Sequence, residues 1–321
     1  GDNPVTVSHV AARAGIAHAE NYVDASTLKT PQDIAAAIVK YTVFGRVTPD
    51  QKRQFVQALK AAGKTVAMTG DGVNDVLALK DADCSVAMAS GSDAAAQASQ
   101  LVLLESDFAR MPDVVLEGRQ VVNNLQRSGS LFLVKNIFSF LMSMFSIIFA
   151  ISYPLEPSQI SLISMFTIGL PGFLLSQVPN KDLIRGHFLT NIFLKALPAG
   201  ITDAIIVGAL VIYGEVFNVS AIDISTAATM LLAIVGFMVL YQISKPMDLL
   251  RWGIWAFSIA GFIFCLFVLP DLFAITGMST RCVLLFVTFS IMAEPLFRYL
   301  TLLVRKLRNL YLKLRHRPQE A

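Results

Sequence analysis

The chain has 321 residues, enough for two domains, and its formal net charge is only +3. Its three cysteines lie far apart, which excludes the close Cys spacing of a metal site. The composition changes near residue 130: Lys, Asp, Gln and Glu recur before that point, and long apolar stretches follow it. The two halves are therefore interpreted separately.

The first half alternates short β-branched runs with amphipathic stretches, which is typical of a parallel sheet flanked by helices. Thr48-Pro49 indicates a helix N-cap followed by Pro at the first helical position. Residues 1–125 are therefore predicted to form an α/β domain. The predicted helices cover 6–14, 31–41, 49–62 and 73–80, and the predicted strands cover 43–46, 65–69, 85–88 and 101–104.

The segment Thr69-Gly70-Asp71-Gly72-Val73-Asn74-Asp75 follows the second predicted strand, at the sheet edge where doubly wound folds bind ligands. Its glycines allow a tight turn. Asp71 and Asp75 offer the carboxylates that Mg²⁺ prefers together with phosphate oxygens and water, and Asn74 offers an amide to a phosphate oxygen. A Gly-Asp-Gly turn alone is common in loops, so the segment predicts a phosphate and magnesium site only in company with other features.

Two further elements favour phosphate chemistry. Lys52 lies on the helix that follows Thr48-Pro49, and an ammonium group near a phosphoryl group offsets its developing negative charge. The alternative is an ordinary solvated lysine. Gly1-Asp2-Asn3-Pro4 leads into a helix, where main-chain amides and a turn carboxylate can meet a phosphate.

The second half contains six stretches of the length and apolarity that a membrane span needs. Lys and Arg fall in the second and fourth connecting loops and in the tail, which predicts a cytoplasmic first half and C-terminus. The basic tail, 305–321, is interpreted as an anchor to anionic lipid rather than a nucleic-acid site, since no recognition motif accompanies it. The predicted six-helix domain covers 126–304, with spans over 131–153, 159–178, 194–213, 227–243, 252–269 and 282–303.

Polar residues inside two spans indicate a transport path. In the second span, Gly169-Leu170-Pro171-Gly172 predicts a broken helix, whose freed carbonyls lie near the hydroxyls of Ser164 and Thr167. Neighbouring helices can satisfy such groups structurally instead. Asp203, inside the third span, either faces the path or forms a helix-packing hydrogen bond.

The motifs together, in their order, closely resemble the P-type ATPases, the pumps that phosphorylate their own aspartate. The similarity runs from Gly1-Asp2-Asn3 through Arg46-Val47-Thr48-Pro49-Asp50-Gln51-Lys52 to residues 68–83, and continues into Val121-Val122-Asn123-Asn124-Leu125. Six later spans fit the family's larger cation pumps. The overall pattern looks nearest to poorly characterised bacterial members, similar to a pneumococcal exported protein.

The resemblance implies a partial phosphorylation domain with an α/β haloacid-dehalogenase-like (Rossmann-type) fold, followed by an all-α six-helix transmembrane domain. It implies ATP hydrolysis through an aspartyl-phosphate intermediate, coupled to cation transport, with ATP as substrate and Mg²⁺ as cofactor. Asp71 would hold the Mg²⁺ with support from Asp75, Asn74 would contact the phosphate, and Lys52 would stabilise the aspartyl phosphate. The other residues implied to lie near phosphate or nucleotide are Gly1, Asp2, Thr69, Gly70 and Gly72.

The phosphorylated aspartate of the family is not in this sequence, because no Asp-Lys-Thr-Gly-Thr run occurs. The resemblance therefore predicts a fragment or one polypeptide of a split pump, inactive without the N-terminal half and placed in a bacterial cell membrane. Where calcium and sodium/potassium pumps carry an Asn and an Asp in the second of these spans, this chain has Ser164 and Ile168. The transported substrate therefore stays open.

Two alternatives to a cation pump stay open. A second span poor in carboxylates is also compatible with a P-type pump that moves a lipid, a polyamine or a peptide segment. A non-catalytic membrane subunit that retains the fold is the third interpretation. In the pump, residues 117–130 are expected to run as one helix into the first span and to couple the two halves.

Overall fold

The computed structural model describes residues 2–184 and 186–315, without the side chains of residues 312, 314 and 315. The chain divides into two compact units, Gly1–Val114 and Val115–Ala321. Gly1, one of the predicted phosphate-proximal residues, lies outside the described residues, as does the end of the basic tail, 316–321.

The first unit contains short helices, and two of them begin with strong N-terminal signals. The hydroxyls of Thr30 and Thr48 accept hydrogen bonds from the amides of Asp33 and Gln51, and the side chains of those two residues accept from the threonine amides. Each capping box is followed by Pro at the first helical position, which explains where the second and third helices begin. The helices are α1 (Pro4–Arg13), α2 (Pro31–Lys40), α3 (Pro49–Ala61), α4 (Val76–Asp81) and α5 (Asp93–Ala98).

The strands are parallel, as the sequence pattern predicts, but they form two sheets instead of one. The first sheet pairs β1 (Tyr22–Asp24) with β2 (Val43–Gly45), and the second has the order β3 (Ala67–Gly70), β4 (Cys84–Met88), β5 (Leu101–Leu103). The division arises because β2 and β3 do not pair with each other. Within the described residues, each of these two strands has a partner strand on one edge only.

The apolar clusters of the first unit are small. Val56 of α3 packs with Val66 and Ala78, and Leu79 of α4 packs with Ala87 on β4. Each cluster holds a few short side chains, so polar contacts between α3 and its neighbours carry a larger share of the packing than in a domain with a large core.

The second unit is helical. Its segments are α6 (Met111–Phe149), which begins at the end of the first unit, α7 (Pro157–Ser164), α8 (Leu170–Ser176), α9 (Phe188–Val216), α10 (Ala221–Ser244), α11 (Leu249–Val268) and α12 (Thr280–Arg315). Six helical stretches of the described residues are long and apolar enough to cross a membrane. They are Phe108–Phe149, Pro157–Ser176, Phe188–Val216, Ala221–Ser244, Leu249–Val268 and Thr280–Tyr311.

The centre of the helical unit is formed by α9 and α10, whose apolar stretches are the most buried of the six. Gln159 of α7 is almost completely buried and joins two other parts of the bundle. Its amide nitrogen donates to the carbonyl oxygen of Ala274 at 2.9 Å, and its oxygen accepts from the Ser225 hydroxyl of α10 at 2.6 Å. A buried amide thus has both of its polar atoms bonded, as a stable helix contact requires.

The irregularity in the second span lies earlier than the sequence predicts. A π turn over Met165–Gly169 separates α7 from α8, and α8 continues through Pro171 as ordinary α-helix. Pro171 lies in the first turn of α8, directly after the π turn. The wide turn places the irregular backbone beside Thr167 rather than at Gly169-Leu170-Pro171-Gly172.

Candidate functional site

The 69–75 loop lies at the carboxyl end of the three-stranded sheet and is held there by close backbone packing. Gly70 ends β3, and a Cβ at this position would lie 2.5 Å from the Cβ of Asp75. Gly91, after β4, packs against the main-chain carbonyl of Asp71 so closely that no Cβ fits. The amide of Ser92 donates to the same carbonyl oxygen at 2.7 Å. Gly70 therefore lets the 69–75 loop fold back closely on itself, and Gly91 allows the close approach of two loops.

Lys52 and Asp75, two of the predicted site residues, are in direct contact. The Lys52 ammonium lies 2.6 Å from Oδ1 of Asp75, and the Asp75 side chain is only 7% exposed. The other carboxylate oxygen of Asp75 accepts a long hydrogen bond, 3.4 Å, from the amide of Gly72. Asp75 therefore fixes the lysine head group beside the loop.

Further polar contacts hold α3, and hence Lys52, against the following elements. Arg53 and Gln57 of α3 both donate to one carboxylate oxygen of Asp81 at 2.7 Å. The hydrogen bonds from Arg53 and then from Gln57 hold the pKa of the Asp81 carboxyl below its usual value. Lys60 lies 3.0 Å from Asp83 in the same way. These ties give α3 a fixed position on α4 and the start of β4.

Three predicted loop residues leave their polar groups open. Thr69, Asp71 and Asn74 are exposed, and the side chains of all three lack hydrogen bonds and ion pairs to any described residue. The loop thus combines one carboxylate already engaged by Lys52 with one that is available to a ligand.

The donor set suits magnesium in one particular way. The described residues contain no group of three or more His, Cys, Asp or Glu side chains able to hold a metal. Mg²⁺ is usually bound by one or two carboxylates and completes its shell with water and substrate phosphate oxygens. Asp71 and Asp75 therefore fit a magnesium site that is shared with a phosphate, but not an enclosed protein cage.

The N-terminal residues lie at the end of the other sheet. The amide of Arg46 donates to the carbonyl oxygen of Asp2 at 2.9 Å, and Gly45 packs against Pro4. Arg46 adopts a positive φ of 52° and places its guanidinium 2.8 Å from Asp24. The structure therefore fixes Asp2 at the carboxyl end of β2, and within the described residues the Asp2 side chain has no bond to the 69–75 loop.

In the helical unit, a small cavity of about 50 Å³ brings the predicted path residues together. Ser164, Thr167 and Asp203 all line it. Asp203 is 5% exposed, and its Oδ1 is fully buried with no hydrogen-bond partner among the described residues. The helix-packing hydrogen bond considered for Asp203 is therefore not formed by this oxygen. The Thr167 hydroxyl donates to the carbonyl oxygen of Ile163 at 2.7 Å, which leaves its lone pairs to accept.

The same cavity contains a residue that the sequence reasoning missed. Lys135 of α6 lines it together with Asp203, and it forms no ion pair or hydrogen bond with a described residue. A signal was present, because Lys135 lies inside the span predicted over 131–153 and a charge there is costly unless it has a role. Among the described residues, the cavity is thus lined by one carboxylate, one ammonium group and three hydroxyls, those of Ser139, Ser164 and Thr167.

A second and larger cavity, of about 720 Å³, lies at the other side of Leu155, which lines both cavities. Two carboxylates, Glu156 and Glu215, contribute to its wall. A single apolar side chain thus borders both the small cavity with Asp203 and the large acidic one.

Known proteins are similar in sequence to both halves of the chain. Residues 1–83 match the haloacid dehalogenase-like hydrolase family. The chain is 40% identical over 271 residues, 82% of its own length, to the probable cation-transporting ATPase exp7 of Streptococcus pneumoniae, of which it covers 35%. It is 42% identical over 261 residues to the calcium-transporting ATPase CtpE of Mycolicibacterium smegmatis, covering 77% of the chain and 33% of that protein. A calcium-transporting ATPase of Bacillus subtilis is 36% identical over 156 residues, 48% of this chain and 18% of that relative.

The chain belongs to the P-type ATPases. The 271 residues of the first similarity exceed the length of the first unit, so the likeness to P-type ATPases extends into the six-helix half. The predicted fold, a haloacid-dehalogenase-like domain followed by transmembrane helices, is confirmed, and the chain is a multi-pass membrane protein. It spans about a third of the length of the curated P-type relatives that it matches over most of its own length.

Proposed function

We propose that this chain is part of an ATP-driven pump that carries a cation across a membrane and passes through an aspartyl-phosphate intermediate. The observation that carries the proposal is the Lys52–Asp75 contact next to the unengaged carboxylate of Asp71. A lysine held in place and an open carboxylate are what phosphoryl transfer needs from a protein, because its catalysis consists mainly of positioning and charge compensation.

Each loop residue takes a distinct role in this proposal. Lys52, oriented by Asp75, offsets negative charge on the phosphoryl group, and Asn74 donates its amide to a phosphate oxygen. Asp71 would hold Mg²⁺, with Asp75 supporting it, and the bound ion would supply further positive charge to the phosphate oxygens. Thr69, Gly70 and Gly72 would keep the loop backbone close to the phosphate, and Gly1 and Asp2 of the N-terminal turn would lie near the phosphate or nucleotide.

The aspartate that accepts the phosphoryl group would come from a part of the pump outside this sequence, which contains no Asp-Lys-Thr-Gly-Thr run. The open edges of β2 and β3 support such a contribution. Each strand presents unpaired main-chain amides and carbonyls to which further parallel strands can hydrogen-bond. The N-terminal half of the pump is thus a proposed partner of this chain.

The cavity around Asp203 supports a cation as the cargo. A carboxylate with two hydroxyls, from Ser164 and Thr167, is a suitable set of oxygen ligands for a small cation. A cavity of about 50 Å³ has room for a few water-sized groups, which disfavours a lipid, a polyamine or a peptide segment. Lys135 would compete with the cation for Asp203, so that the carboxylate has a positive charge nearby whether the site is loaded or empty.

The proposed location is the bacterial cell membrane, with the first unit and the C-terminal tail in the cytoplasm. The support is the distribution of basic residues, because Lys and Arg fall in the loops after α8 and after α10 and in the tail. A non-catalytic subunit would have no reason to keep Lys52 paired with Asp75 beside an open Asp71, which favours the enzyme.

ATP hydrolysis by the full-length pump in phospholipid vesicles, measured against a panel of mono- and divalent cations, tests the proposal. We expect activity that depends on Mg²⁺ and is stimulated by one class of cation, and we expect Asp71→Asn to abolish it. Glu20→Gln, which neutralises an exposed carboxylate outside the loop, is the matched control. Undiminished hydrolysis in Asp71→Asn would refute the role of the loop, and stimulation by lipid or polyamine instead of cations would refute the cargo.

A further inference from the structure

A third cavity, of about 220 Å³, lies between α9, α10 and α12. Three basic side chains line it: Lys195 of α9 and Arg305 and Arg308 of α12. The cavity is distinct from the one around Asp203, since the two share no lining residue.

The three cations have no negative partner. In the part of the chain that the structure describes, none of them forms an ion pair, and no Asp or Glu lines the cavity. Arg305 and Arg308 are three residues apart on one helix, a spacing that places them on the same face. Like charges on one helix face repel each other, and an anion bound between them relieves that repulsion.

Neutral groups complete a site for a multidentate anion. Thr301 precedes Arg305 by one helical turn and also lines the cavity, as does Gln242 of α10, whose amide is not bonded to any described residue. Guanidinium groups bind phosphate oxygens in pairs, and an amide adds a further donor. The chemistry of the cavity is therefore that of a phosphate monoester or diester.

The surroundings favour a lipid as the source of that phosphate. Leu302, three residues before Arg305, is 54% exposed, and Phe193 of α9 is 50% exposed. In the membrane-spanning part of a helix, such side chains face acyl chains. The cavity lies at the end of the bundle where α9 begins and α10 ends, which is also the end carrying the basic loops.

We propose that the cavity of Lys195, Arg305 and Arg308 binds the phosphate-bearing headgroup of an anionic phospholipid, whose acyl chains lie along the exposed apolar side chains of α9 and α12. Basic pockets between transmembrane helices are suited to such headgroups. The site does not involve the phosphate loop or the cargo site, so lipid binding there can be confirmed or refuted independently of the proposed pump activity.

The test uses the full-length pump in phosphatidylcholine vesicles and titrates in phosphatidylglycerol, with lipid binding measured by native mass spectrometry of the extracted protein. The variant Lys195→Gln/Arg305→Gln/Arg308→Gln should bind phosphatidylglycerol roughly a hundredfold more weakly, since each basic residue near an anionic headgroup contributes about a factor of five. The control, Lys181→Gln/Arg298→Gln/Lys306→Gln, removes the same charge from positions that do not line the cavity.

Three results decide the proposal. The proposal is supported if the cavity variant binds phosphatidylglycerol much more weakly while the control variant binds it nearly as tightly as the wild type. Equal loss in both variants shows general attraction to a basic surface and overturns it. Binding of inorganic phosphate or glycerol phosphate as tightly as the lipid assigns the cavity to a soluble anion and also overturns it. Unchanged thermal unfolding in pure phosphatidylcholine establishes that both variants are folded.

Discussion

The ammonium nitrogen of Lys52 lies 2.6 Å from the buried carboxylate of Asp75, and the two residues are 23 positions apart in the chain. This contact links α3 to the loop that follows β3. It leaves Asp71 as the carboxylate of the loop that is open to a ligand.

Lys52→Met should destabilise the first unit, because Asp75 then keeps a buried charge without a partner. Breaking a fully buried pair costs roughly 3–5 kcal/mol, and the partial exposure of Lys52 reduces the expected cost to about 2 kcal/mol. Hydrogen exchange of the α3 and α4 amides in the whole chain measures the change. Lys64→Met, which removes an exposed lysine with no partner among the described residues, is the control. Equal exchange in the two variants would mean that the contact contributes nothing.

Asp71→Asn should leave the stability of the first unit almost unchanged, whereas Asp75→Asn should lower it. Asp71 is exposed and unengaged, so its neutralisation should change the free energy of unfolding by no more than about 0.5 kcal/mol. Asp75→Asn leaves Lys52 without its partner and should lower stability clearly. Exchange protection of the 69–75 loop and α4 separates the two variants, and a large loss in Asp71→Asn would indicate a structural role for that residue.

Asp203→Asn should weaken cation transport at least tenfold if the carboxylate is a cargo ligand, because no other acidic residue among those described lines the small cavity. Lys135→Met should raise the affinity for the cation, since a competing positive charge is removed. Cation uptake into vesicles by the full-length pump gives both values. Asp271→Asn, an exposed acidic residue outside the cavity, is the matched control. Normal transport by Asp203→Asn would mean that Asp203 serves helix packing and does not bind the cation.

The contact between α3 and α4 should weaken in acid. The folded-state pKa of Asp81 is lowered by hydrogen bonds from Arg53 and Gln57, so Asp81 contributes stability above its unfolded pKa of about 3.9 and loses it as the pH falls through the folded value. The pKa of Asp83 is also lowered, by the hydrogen bond from the amide of Val66 and then by the one from Lys60. In Asp81→Asn the α3 amides should therefore exchange their hydrogens faster than in the wild type at neutral pH. The difference between the two exchange rates should become smaller below about pH 4. A difference that is constant with pH would contradict this account.

The sequence predicted what is encoded locally. Thr48 followed by Pro49 predicted the start of α3, which begins there, and the apolar stretches predicted six spans. The strand Tyr22–Asp24 was missed because it has three residues and exists only through pairing with β2, which is 21 positions away in register. The local sequence pattern does not reveal pairing with a strand that is distant in the chain.

The candidate sites were predictable in their residue types but not in their contacts. The motif order indicated Lys52 and the 69–75 loop, whereas the engagement of Asp75 by Lys52 depends on the packing of α3 against α4. Pro171 correctly marked an irregular span, but the π turn lies just before it, at Met165–Gly169. Lys135 and Asp203 line the same cavity only once α6 and α9 are packed.

The most direct test of the central claim is acid-stable incorporation of the γ-phosphate of ATP into the full-length pump. The account predicts that wild-type membranes are labelled in the presence of Mg²⁺, that hydroxylamine removes the label, and that Asp71→Asn or Mg²⁺ chelation prevents labelling. Glu20→Gln should be labelled like wild type. Full labelling of Asp71→Asn, or no acid-stable label in the wild-type pump, would contradict the assignment of the 69–75 loop to phosphoryl transfer.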